Sequence, residues 1–412
     1  MKTVFDWIVI GGGIAGVSVS EILSREGKSV LLLEKNDSLA SETSKEFHEW
    51  FHSGSLHTLA PDNLLTLRYL LGSADDLFQY YGNFESMNLF PTECGIKIKD
   101  NGWFNNNYIL YKFKKHLWNP IWLSMVSRST NIIDMIDSHD WLRRRAGSEY
   151  GSSKVRFKHW FSNIPNQIKS KGIFFEKESP DFTMNSRILI NDLLSLGIEN
   201  GLKVELNANV TSFKESVDKV TVQTTEEEYI SKNIVICSPD AISNLIGTPI
   251  KTGFAPMAVV ENVPANAKSF VELDYFLKKC INLLTKGDGI GQAGGITLEK
   301  QDEIKSYLDY VIKEHKKRNP EIQVIDTYVG IKKELVSSGE NRNYLYHINQ
   351  NSNNIWSIVL GKFTLAFSMA PEFYRRIYKK NPSNLIKHFK IDKDNNLLSK
   401  TTWQEIVNSK RS

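Results

Sequence analysis

The feature that most narrows what this chain can fold into is Gly11-Gly12-Gly13-Ile14-Ala15-Gly16, set between the apolar run Val4 to Ile10 and the stretch Val17 to Glu26. A second apolar run, Val30-Leu31-Leu32-Leu33, follows and ends at Glu34. The order reads as strand, glycine turn, helix, strand. Each glycine has a physical reason to be there. Gly11 makes the tight turn, Gly13 lets a pyrophosphate approach the backbone, and Gly16 lets the helix lie close on the strand. The helix start offers free N–H groups and a positive dipole end to phosphates. Glu34 is spaced to accept hydrogen bonds from an adenosine ribose. A bare GxGxxG is a weak signal. Its flanks and the acid at this distance point to a dinucleotide site rather than to a glycine-rich turn in an ordinary α/β fold.

At 412 residues the chain can bury a large core and is expected to form two domains. Its formal charge of +4 forces no nucleic-acid partner. Cys94, Cys237 and Cys280 are far apart, with no CxxC pair, which suits a reducing compartment and argues against a disulfide framework or a metal site. The first strand starts at once, leaving no room for a cleavable signal, and no apolar run reaches the roughly 18 residues of a membrane span. A cytoplasmic protein is the expectation, with attachment to a membrane surface left open.

Along the chain, Lys35 to Ser44 reads as a polar loop leaving the carboxyl end of a strand, where α/β proteins place ligands. It leads to His52 and His57 around a small-residue turn, readable as surface histidines or as site residues. Leu64 to Tyr81 has helical spacing ended by Gly82. From Leu89 to Pro180 aromatics are dense and basic residues lie among them, including Arg143-Arg144-Arg145, Lys158 and His159. That stretch reads either as the wall of a substrate domain or as a basic face over an aromatic core. Asn185 to Asn200 is helical again, and short alternating strands run from Val204 to Ile230 before the buried-looking Asn233 to Cys237. Gly287 to Gly295 is glycine-rich, but without an apolar strand directly before it no second nucleotide site is assigned. Gln301 to Lys317 reads as a surface helix, and strands are expected at Gln323 to Lys333, Tyr344 to Asn349 and Ile355 to Leu360. The last strand runs through Gly361-Lys362-Phe363-Thr364 into a helix that Thr364 could cap. The tail beyond Asn381 is polar and is expected to pack weakly or fray.

Four separated stretches resemble the FAD-dependent oxidoreductases of the D-amino-acid-oxidase superfamily, and within it the flavin-dependent glycerol-3-phosphate dehydrogenases most. They are the GGGIAG turn with Glu34; Thr43-Ser44 followed by His52-Ser53-Gly54-Ser55-Leu56, similar to TS…HGGLRYL; Tyr328-Val329-Gly330-Ile331-Lys332 with Asn341-Arg342-Asn343-Tyr344, similar to YAGxRP…RDY; and Gly361-Lys362-Phe363-Thr364 with Met369-Ala370, similar to GGKxTTYRxMA. The chain departs from the pattern at three points. His57 stands near the place of one family arginine, Lys332 replaces another, and Cys237-Ser238-Pro239 replaces AxGxW. A lysine is a point charge where arginine is a planar fork, so a bidentate phosphate grip is not carried over.

The resemblance implies an α/β fold: a Rossmann-like FAD-binding domain of the glutathione-reductase type assembled from discontinuous segments, plus an α+β substrate domain with a mixed or antiparallel sheet. The expected division is 1–88, 181–252 and 338–380 for the FAD domain, 89–180 and 253–337 for the substrate domain, and 381–412 for the tail. It implies FAD held by Gly11, Gly12, Gly13, Ile14, Ala15, Gly16, Glu34, Lys35, Thr43, Ser44 and Val210, with Gly361, Lys362, Phe363 and Thr364 toward the ring. A CH–OH or CH–NH carbon of a small polar or anionic substrate would give hydride to flavin N5, with His52 as base and Arg342 and Lys332 holding the substrate. His57 and His347 are weaker candidates for the base, and His52 could instead anchor the flavin covalently. The electron acceptor and oligomeric state are not implied. Two alternatives stay open: FAD used for isomerisation without net redox turnover, and a binding or assembly protein that has lost the chemistry.

Overall fold

The computed structural model describes residues 3–59, 64–92, 95–99, 102–136, 160–274, 277, 279–336, 344–385 and 396–411. Two eight-stranded sheets organise them. The first contains β1 (Val4–Ile10), β2 (Val30–Leu33), β8 (Lys203–Glu205), β9 (Val210–Glu215), β10 (Val220–Thr224), β11 (Glu228–Ile236), β17 (Tyr346–Gln350) and β18 (Ile355–Leu360). Its spine runs β17-β18-β11-β1-β2-β8, parallel except for β17, with β10 and β9 as an antiparallel meander on β11. The second contains β3 (Trp50–Phe51), β6 (Phe104–Lys114), β7 (Phe174–Met184), β12 (Lys251–Glu261), β13 (Phe270–Asp274), β14 (Lys279–Gly287), β15 (Ile290–Gly295) and β16 (Gln323–Glu334). Its order is β16-β12-β15-β14-β13-β6-β7-β3, antiparallel except between β13 and β6. β4 (Leu89–Thr92) and β5 (Gly95–Ile98) form a separate hairpin. This is the mixed-sheet α/β architecture that the sequence implies. β3, from within residues 1–88, and the end of β7, beyond residue 180, lie in the second sheet.

The described helices are α1 (Ile14–Arg25), α2 (Thr43–Glu46), α3 (Leu65–Tyr81), α4 (Pro120–Ile136), α5 (Ile164–Lys169), α6 (Ser186–Glu199), α7 (Pro239–Ile246), α8 (Ile304–Arg318), α9 (Ala366–Tyr378) and α10 (Thr402–Arg411). β1 is apolar almost throughout because both faces of its sheet are covered. Trp7 and Val9 pack with residues of α1, α3, α6 and α9, while Ile8 and Ile10 pack with Val220, Val222, Ile242 and Val359. The period of two in one strand thus feeds two cores. The Trp7 indole N–H donates to Tyr378 Oη at 2.8 Å, tying the first strand to the end of α9.

Two expectations are corrected. The glycine-rich segment near residue 288 does follow a strand: β14 leads into it, and Asp288 and Gly289 turn the chain with φ of +50° and +72° into β15. It is a hairpin. The tail is docked: Leu39 N–H donates to Leu397 O at 2.7 Å, Ser399 N–H donates to Leu39 O at 3.1 Å, and Val407 of α10 packs against Val259 and Ile290. Among its described residues, Leu385, Leu397, Leu398, Trp403, Ile406 and Val407 all pack on the body. In the aromatic stretch, Trp103, Phe104, Tyr111, Phe113 and Trp122 are buried core, whereas Trp118 is 77% exposed. Arg143, Arg144, Arg145, Lys158 and His159 lie outside the described residues.

Candidate functional site

A cavity of about 810 Å³ opens at the carboxyl ends of β1, β2, β11 and β18 and runs beneath the second sheet. At its nucleotide end, Gly11 takes φ +104°, a backbone state that suits glycine. A Cβ on Gly16 would stand 1.9 Å from the Gly11 carbonyl oxygen, so the closeness of helix and strand depends on its absence. The Glu34 carboxylate accepts from Gly12 N–H at 2.6 Å through Oε2 and from Asn36 N–H at 3.0 Å through Oε1, which fixes it beside the glycine turn. Ser44 Oγ accepts from Ile14 N–H at 3.1 Å, and Thr43 Oγ1 donates to Ile331 O at 2.9 Å. Lys35 Nζ pairs with Glu42 at 2.7 Å at the rim.

At the other end, Gly361, Lys362 and Phe363 line the cavity together with His48, Trp50, His52, His57, Lys332 and Tyr344. Lys362 Nζ and Lys332 Nζ stand 4.9 Å and 5.0 Å from the centre of the Tyr344 ring, close enough for cation–π attraction. Lys332 is also paired with Glu334 at 2.6 Å. The His52 ring stacks on Trp50 with centres 4.3 Å apart, its Nε2 faces Lys362 Nζ at 3.5 Å, and its Nδ1 lies 3.6 Å from Asp181 Oδ2. Burial, and next the Lys362 ammonium, pull the imidazole down to about 4 against the opposing pull of Asp181. His52 is therefore neutral near pH 7, the form that can accept a proton.

Behind this end lies a buried ionic hub. Glu49, at φ +56°, accepts from Lys286 Nζ at 2.9 Å, Ser186 Oγ at 2.6 Å and Trp403 Nε1 at 3.0 Å. Burial alone would raise the Glu49 carboxyl, but Lys286 and these donors outweigh it and hold it below its ordinary value. Neighbouring His48 is pulled down to about 3, by burial first and by Lys286 second.

Of the residues that the sequence singles out, Gly11, Gly12, Gly13, Ile14, Ala15, Glu34, Lys35, Thr43, Ser44, Val210, Gly361, Lys362, Phe363, His52, His57 and Lys332 all line this one cavity. Gly16 lies behind the turn. Arg342 is outside the described residues, and His347 sits on β17 away from the cavity lining. Thr364 corrects an expectation: it caps nothing. It is fully buried in a short 3-10 turn before α9, its Oγ1 accepts from His52 N–H at 3.0 Å and its carbonyl accepts from Ser73 Oγ at 2.6 Å. The hydroxyl is spent on positioning the His52 loop. Sequence reasoning passed over Asp181, Glu49 and His48; the available signal for the first was a carboxylate set between Pro180 and Phe182 near the end of β7.

These donors fit FAD. A glycine turn opening a twelve-residue helix suits a diphosphate, a fixed carboxylate at the end of β2 suits a ribose, and a backbone turn with a lysine suits the electron-rich edge of a flavin ring. Among the described residues no group of three or more His, Cys, Asp or Glu could hold a metal, and no helix is long and apolar enough to cross a membrane.

Residues 6–105 match the family described as FAD dependent oxidoreductase, DAO. UDP-galactopyranose mutase of Mycoplasma pneumoniae is 37% identical over 101 residues, 24% of this chain and 23% of that protein. Mitochondrial L-2-hydroxyglutarate dehydrogenase of Arabidopsis thaliana is 31% identical over 80 residues, 19% of this chain and 16% of that protein. The chain thus aligns with less than a quarter of the length of these curated relatives. Solved structures share the fold across nearly the whole chain. L-alpha-glycerophosphate oxidase from Mycoplasma pneumoniae, with FAD bound, superposes with a TM-score of 0.65 at 16% identity, covering 94% of this chain and 98% of that one. Glycine oxidase from Bacillus cereus gives 0.61 at 14%, covering 93% and 99%. The three agree: residues 6–105 carry the match to the DAO family of FAD-dependent oxidoreductases, the chain as a whole has the fold of such proteins, and the groups around the cavity fit FAD.

Proposed function

We propose that the protein oxidises a CH–OH or CH–NH carbon of a small polar or anionic substrate by hydride transfer to flavin N5. The observation that supports this most is the meeting of the first and last motifs, Gly11 to Ala15 and Gly361 to Phe363, in one cavity with a neutral buried histidine and two lysines. When bound, FAD supplies the hydride acceptor. The chain supplies the rest: the glycine turn and Glu34 would hold the diphosphate and ribose, and the Gly361 to Phe363 backbone with Lys362 would stabilise negative charge on the reduced ring. Oxidation of an alcohol also releases a proton, and His52 is the group placed to take it. Lys332, beside Tyr344, and Arg342 would hold the substrate's polar end. The flavin-binding unit is assigned to residues 1–88, 181–252 and 338–380 and the substrate unit to 89–180 and 253–337, in a cytoplasmic protein whose scattered cysteines suit that compartment.

The test is anaerobic mixing of FAD-loaded protein with glycerol 3-phosphate, L-2-hydroxyglutarate, glycine and a set of L-amino acids. Loss of the flavin absorbance with one of them supports the proposal. Protein that stays colourless after incubation with FAD sinks it. The identity with a UDP-galactopyranose mutase favours a second reading, and turnover of UDP-galactopyranose without net bleaching would establish isomerisation in its place.

A further inference from the structure

The proposed reaction gives no role to the buried carboxylate nearest its base. Asp181, fully buried on β7, accepts from Trp50 Nε1 at 3.0 Å and Tyr111 Oη at 2.8 Å through Oδ2, and from Ser53 N–H at 2.9 Å and Ser53 Oγ at 2.5 Å through Oδ1. Trp50 and Ser53 flank His52 in the chain, and the Trp50 ring also stacks on the imidazole. One carboxylate therefore fixes the histidine loop on both sides, while its own Oδ2 stands 3.6 Å from His52 Nδ1. On the far side of the ring, Nε2 faces the Lys362 ammonium. An ammonium can only donate, so Nε2 must present its lone pair, and in a neutral imidazole the proton is then on Nδ1, the nitrogen that faces Asp181.

We propose that Asp181 is the positioning residue of His52, setting its tautomer so that the Nε2 lone pair faces the cavity and steadying the imidazolium formed when a substrate proton arrives. This rests on His52 being the base of the proposed oxidation. In that step the substrate O–H proton would move to Nε2, bound FAD would supply the acceptor for the C–H hydride as the C=O bond forms, and the positive charge gained by the ring would lie against the Asp181 carboxylate. The charged and titratable groups around His52 are Asp181 from β7, Lys362 from the turn after β18, Lys332 from β16, His57 with ring centres 6.1 Å apart, and His48. The lysines oppose protonation, and Asp181 is the carboxylate among these groups that favours it.

The test uses FAD-loaded protein with nitrogen-15-labelled histidine, the His52 signals being assigned by their loss in His52→Gln. Wild type is expected to carry the His52 proton on Nδ1; a proton on Nε2 overturns the proposal without any variant. In Asp181→Asn, flavin reduction by the best substrate of the panel should fall about 100-fold with KM changed less than about threefold. The fixed tautomer should be lost, and the acid limb of the rate profile should move to lower pH, since removing a negative charge makes the ring harder to protonate. Asp181→Glu should recover part of the rate. An Asp181→Asn protein with wild-type tautomer and acid limb refutes the role. If His52→Gln reduces flavin at the wild-type rate, the base assignment fails instead, and the tautomer measurement still judges Asp181 by itself.

Discussion

The two ends of the cavity are built in opposite ways. The nucleotide end is backbone: a glycine turn, a helix start and strand ends, backed on both faces by apolar layers. The far end is side chains brought from distant parts of the chain into a buried cluster, with Asp181 beside His52 and Lys286 joining Glu49 to the His48 carbonyl. The first depends on groups being small enough to approach; the second depends on charges being matched after they lose water. An error at the first end is a steric clash, and an error at the second is an uncompensated buried charge.

Acid should expose this difference most strongly. His48 and His52 are held down at about 3 and about 4, each by burial first, against an ordinary value of 6.5. Between pH 6.5 and about 4 the unfolded chain therefore takes up protons that the folded chain refuses. Stability is intact above 6.5 and falls as the pH drops through that window, by up to ~3 kcal/mol per pH unit if both titrate together. Urea midpoints at pH 7, 6 and 5 check this, and a flat series would break the contrast. Lys286→Met leaves the Glu49 carboxylate without its ammonium and should cost ~3–5 kcal/mol in the same assay. Gly16→Ala forces a methyl against the Gly11 carbonyl and should cost roughly 1–3 kcal/mol. That loss should come with reduced FAD content, which Lys286→Met changes less. Trp403→Phe keeps the ring but removes one donor to Glu49, and a loss of about 1 kcal/mol is expected. A larger loss would mean that α10 carries more of the far end than its single indole bond suggests.

The same contrast explains what could be read in advance. The glycine turn is legible because its constraint is local: spacing, a missing Cβ and an acid at the end of the next strand. The Gly361 turn was legible for the same reason. Asp181 was not, because nothing in the Phe174–Met184 strand says that its partner Trp50 lies 131 residues upstream. Thr364 looked like a helix cap from its neighbours alone, and its hydroxyl was claimed by His52, 312 residues away. The tail misled because Leu397, Leu398, Trp403 and Val407 are scattered among polar and charged residues, and they pack into two separate clusters on the body. Lys332 was legible as a substitution for an arginine, but not as the partner of Glu334, two positions along on the same strand.

The docking of Trp403 onto Glu49 bears on how the protein is made. Strand β1 leaves the ribosome early, yet its sheet gains β18 only after Leu360 has been synthesised, and the Glu49 cluster closes only after Trp403. A nascent chain stalled short of Leu360 would therefore hold β1 and β11 without the β18 turn that lines the other end of the cavity, and one stalled short of Trp403 would lack an indole donor to Glu49.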